Sequence, residues 1–310
     1  MKHRSAKSDL AKLKTEQQNP ATMNLDGLSA LEIARAINRE DQLVAAAVEK
    51  ALPDIADAID LAAASLREAG RLIYVGAGTS GRLGALDASE IPPTFGIDPK
   101  LIRHVIAGGD KALHSAVEDE EDSTNLGKKD MAKLKPGKRD VVIGIAASGR
   151  TPYTLAALRY SKKKGAKTIA VVCNRRSPIE HAADLAIVIE VGPEILSGST
   201  RMKAGTAQKL VLNMISTGAL VRLGYVYGNL MVNVLPRNKK LRERSATILQ
   251  RAAGINRKEA SRALKAAGWK LPLALVMLKT SASKAQAAES LKAAGGRVRK
   301  AIQLVQSARP

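Results

Sequence analysis

The chain is short of the residues that carry many common chemistries. It has one cysteine, Cys173, which excludes an internal disulfide and suits a reducing compartment. That cysteine closes the apolar run TIAVVC and reads as a buried small hydrophobe rather than a nucleophile. Aromatic residues make up 2% of the chain, with one Trp and one Phe. The core must therefore be aliphatic, and a surface that stacks nucleobases on aromatic rings is disfavoured. The histidines at 3, 104, 114 and 181 are scattered and form no metal-ligand spacing. No apolar run reaches membrane-spanning length, and the basic N-terminus MKHRSAKSDLAKLK lacks the apolar stretch of a secretory signal. These absences together predict a soluble, cytoplasmic protein with no membrane partner.

What is present is enough apolar material for a sizeable core: 45% of 310 residues. That supports one large domain with an appendage, or two domains. The net charge of +21 is unevenly spread. Residues 1–14 contribute +4, residues 237–310 contribute +15, and the rest of the chain is close to neutral. Such ends permit non-specific contact with polyanions, but the simpler reading is solvated basic faces, and nucleic acid is not an expected partner.

The periodicity predicts three parts: a basic tail over 1–14, an α/β domain over 15–240 and a helical module over 241–310. Residues 25–69 are helical in pattern, with Ala30, Ile33, Ala34 and Ile37 on one stripe and Pro53 marking a break or a new start. RLIYVG, LIRHVIAGG, DVVIGIAAS, TIAVVCN and LAIVIEV read as strands, with helices between and after them. This is the pattern of an open, mostly parallel sheet with helices on both faces. After Pro236 the strands stop, and the Ala-, Lys- and Leu-rich remainder reads as three to five helices. LKAAG occurs at 264–268 and again at 291–295, each copy ending on a glycine suited to close a helix.

Two loops repeat one theme. GAGTSGR (76–82) and AASGRTP (146–152) both follow a buried strand, and both centre on Ser-Gly-Arg. In a parallel sheet, ligands sit beyond the carboxyl ends of the strands, where a loop opening a helix offers free N–H groups and the positive end of the helix dipole. Glycine lets the backbone approach an anion, and Ser and Thr add small donors. GAGTSG also matches G-x-G-x-x-G, but the acidic residue a dinucleotide site needs about twenty positions on is missing, and so is the Lys-Ser/Thr pair of a P-loop. With a third hydroxyl-rich segment, SGSTRMKAGTAQK (197–209), the set suits a phosphorylated sugar better than a nucleotide.

These segments carry a resemblance. GAGTSGRLGALDASEIPPTFG, AGGDKALHSAVEDEEDS, GIAASGRTPY and LSGSTRMKAGTAQKLVLNMIST resemble the N-acetylmuramic acid 6-phosphate etherase family, over about 15–241. The resemblance implies the sugar-isomerase (SIS) fold and a homodimer with its site near the subunit boundary. It also implies cleavage of the D-lactyl ether by elimination and hydration, with no metal and no redox cofactor. It matches Glu90 to an acid/base glutamate that protonates departing lactate and then activates water, and Glu121 to the base for the C2 proton. The acidic run leaves Glu118 and Glu120 as alternatives to Glu121. Thr79, Ser80, Ser148, Gly149, Arg150, Thr151, Ser197, Ser199, Thr200 and Lys203 correspond to sugar-phosphate contacts. Arg82 and Arg150 have a second reading as structural ion pairs. Arg201 is open between holding the lactyl carboxylate and pairing within the fold. A non-catalytic sugar-phosphate sensor of the same fold would not need the glutamate pair, and an aldose–ketose isomerase would not need DASEIPPTFG.

Overall fold

Among the described residues, five strands, all parallel, lie in the order β2-β1-β3-β4-β5. The computed structural model describes residues 13–117, 119–234 and 239–308. In chain order, short 3-10 turns lead to α1 (Ala30–Glu49), α2 (Leu52–Arg67), β1 (Leu72–Gly76), α3 (Gly78–Phe95) and β2 (Ile102–Ile106). Then follow α4 (Lys111–His114), α5 (Thr124–Leu134), β3 (Val141–Ala146), α6 (Pro152–Lys163) and β4 (Lys167–Val172). α7 (Pro178–Ala182), β5 (Leu185–Val188), α8 (Lys203–Leu223) and five further helices complete the fold.

The chain divides into two compact units: 1–88 with 100–216, and 89–99 with 217–310. The division falls inside two helices rather than at 240, the boundary that composition suggests. Residues 89–95 of α3 and 217–223 of α8 belong to the second unit.

In the first unit, β1 and β3 are buried along their whole length, which explains their unalternating apolar sequences. Ile73, Val75, Val142, Leu158 and Val172 share one aliphatic core, and Cys173 is buried beside it at 1% exposure. Burial pushes the Cys173 thiol far above its usual range, as befits a packing residue. At the opposite end of the strands from the loops, Asp140 accepts from Arg71 Nη2 at 2.7 Å and from the Arg71 and Gly137 backbone N–H groups at 2.9 Å, tying β1 to β3.

Pro53 stands in the first turn of α2, as a new helix start, where its missing N–H costs nothing. The helix read from the stripe on α1 is present, but that stripe is not its buried face. Ala30 and Ala34 are exposed and Ile33 and Ile37 only half-buried, while Ala36, Val44 and Val48 face inward. Four-residue spacing places Glu40 on that same inward row, a charge that the apolar pattern could not accommodate.

The second unit contains α9 (Lys239–Ala253), α10 (Arg257–Ala266), α11 (Leu271–Thr280), α12 (Lys284–Ala293) and α13 (Val298–Ser307). Leu249, Leu264, Leu271, Leu275, Val276 and Val298 are among its aliphatic core. Both LKAAG copies end helices in the same way. Gly268 and Gly295 have φ of +63° and +61°. Behind them Trp269 N–H donates to the Leu264 carbonyl at 2.7 Å and Gly296 N–H to the Leu291 carbonyl at 2.8 Å. The paired glycines reflect a shared closing motif.

Candidate functional site

The strand order places the two Ser-Gly-Arg loops side by side. β1 connects outward to β2, the chain then crosses to β3 on the other side of β1, and the crevice opens where the direction reverses. Gly76 and Ile145 are in register across β1 and β3, so both loops leave the sheet at one level. Gly76 admits no side chain there, since a Cβ would stand 2.8 Å from Gly81 N and 3.0 Å from the Ile145 carbonyl oxygen.

The first loop runs directly into α3. Gly78 has φ +52°, and the opening N–H groups of α3 have no earlier turn to bond to. Thr79 is half-buried there. Ser80 is 8% exposed and donates its hydroxyl to Gln208 Oε1 at 2.9 Å. Arg82 is tied into the fold by carbonyls rather than by an ion pair: its guanidinium donates to the Ala112 and Ser115 carbonyls, each at 2.8 Å, and fixes the segment after β2.

The second loop turns tightly. Gly149 has φ +68°, and a Cβ on it would lie 2.3 Å from Ser177 Oγ. Ser148 Oγ accepts the Arg150 N–H at 3.2 Å, and Thr151 caps α6 without a side-chain hydrogen bond. Arg150 Nε is buried with no partner among the described residues.

Glu121 links the loops. A Cβ on Gly78 would lie 3.1 Å from Glu121 Oε1, so this carboxylate faces the first loop. Its own carbonyl accepts the Tyr153 N–H at 3.0 Å, at the start of the helix that follows the second loop. Glu120 is half-buried, and Glu118 lies outside the described residues. Glu90 is exposed on α3 in the second unit, its carbonyl accepting the Thr94 hydroxyl at 2.7 Å.

The third hydroxyl-rich segment is built differently from the other two. The α8 N-terminus is already capped: Glu194, 0% exposed, accepts the N–H groups of Lys203 and Ala204, each at 2.9 Å. Burial pushes the Glu194 carboxyl above its usual range against the pull of those donors. Ser197 is exposed and donates to the Glu16 carbonyl at 2.9 Å, while Ser199 and Thr200 are half-buried. Thr200 comes near the first loop, since a Cβ on Gly205 would meet Thr79 Cγ2 at 3.4 Å and the Thr200 carbonyl at 3.5 Å. Lys203 is 2% exposed and turned inward, its Nζ 2.6 Å from Glu40 Oε2 and 3.0 Å from the Pro193 carbonyl. Arg201 is exposed, with no ion pair among the described residues.

Two features had no place in the motif reading. Asp87 is 4% exposed and accepts from Tyr74 Oη at 2.6 Å, Asn213 Nδ2 at 2.7 Å and Ser216 Oγ at 3.2 Å, joining β1, α3 and α8. Burial raises its carboxyl above the usual range despite three donors. Gln208, 1% exposed, keeps its Nε2 without a partner among the described residues. Only the position of Asp87, three residues before Glu90 in the same helix, could have flagged it.

A model described as the glucokinase regulatory protein N-terminal SIS domain matches residues 54–162, and a SIS domain model matches residues 125–217. An N-acetylmuramic acid 6-phosphate etherase of Caldanaerobacter subterraneus subsp. tengcongensis is 50% identical over 295 residues, 95% of this chain and 96% of that protein. One of Lactobacillus gasseri is 51% identical over 290 residues, covering 94% and 98%. Among solved structures, a phosphoheptose isomerase from Francisella tularensis is similar in fold, with TM-score 0.50 at 17% identity, covering 62% of this chain and 98% of that one.

Proposed function

The chain belongs to the N-acetylmuramic acid 6-phosphate etherase family, and from that premise we propose how its residues divide the work of a carbon–oxygen lyase. It is an enzyme, and the reaction is cleavage of the ether in N-acetylmuramic acid 6-phosphate, yielding N-acetylglucosamine 6-phosphate and D-lactate. The first loop, with Thr79 and Ser80 at the start of α3, and the second, with Ser148, Gly149 and Thr151, hold the 6-phosphate through N–H and O–H donors. The chemistry asked of both loops is anion recognition.

With the ring open, the C1 aldehyde makes the C2 proton acidic. Glu121 takes that proton; the C2–H electron pair forms the C2–C3 double bond as the C3–O bond breaks. Glu90 gives its proton to the leaving oxygen, because an alkoxide departs poorly without one. The deprotonated Glu90 then removes a proton from water as that water adds to C3, and the protonated Glu121 returns a proton to C2. Protons and electron pairs balance over the two steps, and no redox partner is consumed.

The observation that supports this reading is the placement of Glu121, its carboxylate against Gly78 of one loop and its carbonyl on the helix that follows the other. Incubation with N-acetylmuramic acid 6-phosphate in isotopically labelled water tests it. Lactate release with solvent oxygen at C3 and solvent hydrogen at C2 is expected. Label retained only in lactate, or no lactate, overturns it. Glu90→Gln should lower turnover by about 100-fold or more while sugar-phosphate binding persists.

A further inference from the structure

The cationic excess of the second unit has a structure of its own. Between 239 and 308, sixteen Lys and Arg stand against three Glu, and every one of those cations is exposed. Some are occupied: the Arg242 guanidinium lies 5.2 Å from the Trp269 ring centre and that of Arg299 lies 5.3 Å from the Tyr227 ring centre. Those of α10 are not. Among the described residues, Arg257, Lys258, Arg262 and Lys265 have no acidic or aromatic partner.

At about 100° per residue, these four side chains and Ser261 fall within an arc of roughly 140° on α10. Ala260, Leu264 and Ala267 occupy the opposite, buried side. Glu259 falls outside the arc, and its carboxylate accepts the Asn256 N–H at 3.2 Å in the capping box that opens the helix. The five residues line a shallow depression of about 580 Å³. Lys258 and Arg262 are four apart, Arg262 and Lys265 three apart, so like charges repel along the face with no anion between them. Capped at one end and closed by Gly268 at the other, the helix holds them in place.

We propose that this face of α10 docks on the phosphodiester backbone of duplex DNA, without reading sequence. The face carries cations and a hydroxyl but no exposed aromatic ring to stack on a base, and no large apolar residue to enter a lipid layer. The scarcity of aromatics that disfavours base recognition is no obstacle to backbone binding, which needs charge and a rigid surface. The helix is about 15 Å long, and a B-form major groove is about 12 Å wide. The inference is independent of the ether-cleavage chemistry.

Fluorescence anisotropy of the full-length protein with a labelled 20-base-pair duplex of arbitrary sequence, as DNA and as RNA, at about 50–200 mM salt, tests it. Binding in the micromolar range at the lowest salt is expected, with log affinity falling against log salt at a slope of about −3 to −4. The variant R257Q/K258Q/R262Q/K265Q should bind at least about tenfold more weakly and lose most of that slope, with circular dichroism and etherase turnover unchanged. Weaker binding to the RNA duplex is expected, because its A-form major groove is deep and narrow, and tighter binding to RNA than to DNA overturns the assignment. No binding to DNA at low salt, an unchanged slope in the variant, or tighter binding to phosphatidylserine vesicles than to the DNA duplex also overturns it.

Discussion

Lys203 Nζ and Glu40 Oε2 lie 2.6 Å apart, joining residues 163 positions distant in sequence. The pair sits where α8 begins, with the Pro193 carbonyl and Asn19 completing its hydrogen bonds. Burial alone would raise the Glu40 carboxyl, but hydrogen bonds from Lys203 and Asn19 outweigh it and hold the group below its usual range. This lysine is thus committed within the fold, whereas the resemblance to etherases matches it to a sugar-phosphate contact. Lys203→Met should cost about 3 kcal/mol by urea unfolding, the penalty of stranding Glu40, and Lys203→Met with Glu40→Leu should recover most of it. Normal stability with lost substrate binding in the single variant would instead return Lys203 to the ligand.

Gly78 and Glu121 make a second pair with a sharp consequence. At φ +52° any L side chain is strained by about 1–2 kcal/mol, and a Cβ would come within 3.1 Å of Oε1. The carboxylate has to give way by a few tenths of an ångström. Gly78→Ala should therefore lower kcat by about tenfold to a hundredfold, because the base is displaced from its proton, with a smaller change in KM. Gly137→Ala, where nothing lies within 4 Å of the new methyl, is the control and should leave both constants alone.

How far the sequence foretold this arrangement depends on the range of the interaction. The five strands, and the glycine that ends β1, are legible because buried parallel strands and tight turns leave local signatures. The two Ser-Gly-Arg loops are recognisable for the same reason, though only the order β2-β1-β3-β4-β5 reveals why there are two: they flank the reversal point of the sheet. The Lys203–Glu40 pair, the Glu194 cap and the Asp87 cluster are invisible locally, since each joins segments separated by other elements. Glu40 broke the apolar stripe of α1 at an inward position, which was the one available sign. The unit boundary is hidden because α3 and α8 run through it as continuous helices.

Ser80 and Gln208 determine what the first loop can offer an anion. As oriented, Ser80 gives its proton to Gln208 Oε1, leaving Gln208 Nε2 unpartnered and the serine able only to accept. Turning the amide over lets Nε2 donate to Ser80 Oγ and frees the serine proton for a phosphate oxygen. Gln208→Glu, which can only accept when ionised, should hold the serine proton on itself and away from the phosphate. Its KM should rise about tenfold with kcat little changed, matching Ser80→Ala. Equal KM values for the wild type and Gln208→Glu would exclude Ser80 as a phosphate donor.

Asp140 supplies the clearest pH dependence. Burial raises its carboxyl, but hydrogen bonds from Arg71 and the Gly137 backbone outweigh this and hold it below the usual aspartate range. A depressed carboxylate contributes stability above its unfolded pKa of about 3.9, and that contribution disappears as pH falls through the lower folded value. Glu40 acts in the same sense, whereas Asp87 and Glu194, raised by burial, act in the opposite one and gain stability on protonation. Asp140→Asn isolates the first effect. At pH 7 it should be less stable than the wild type by about 2 kcal/mol, the worth of charge-assisted hydrogen bonds. That difference should shrink steadily below about pH 4 in urea titrations. A gap that stays constant from pH 7 to pH 3 would show that the Arg71 contact tying β1 to β3 does not depend on the charge of Asp140.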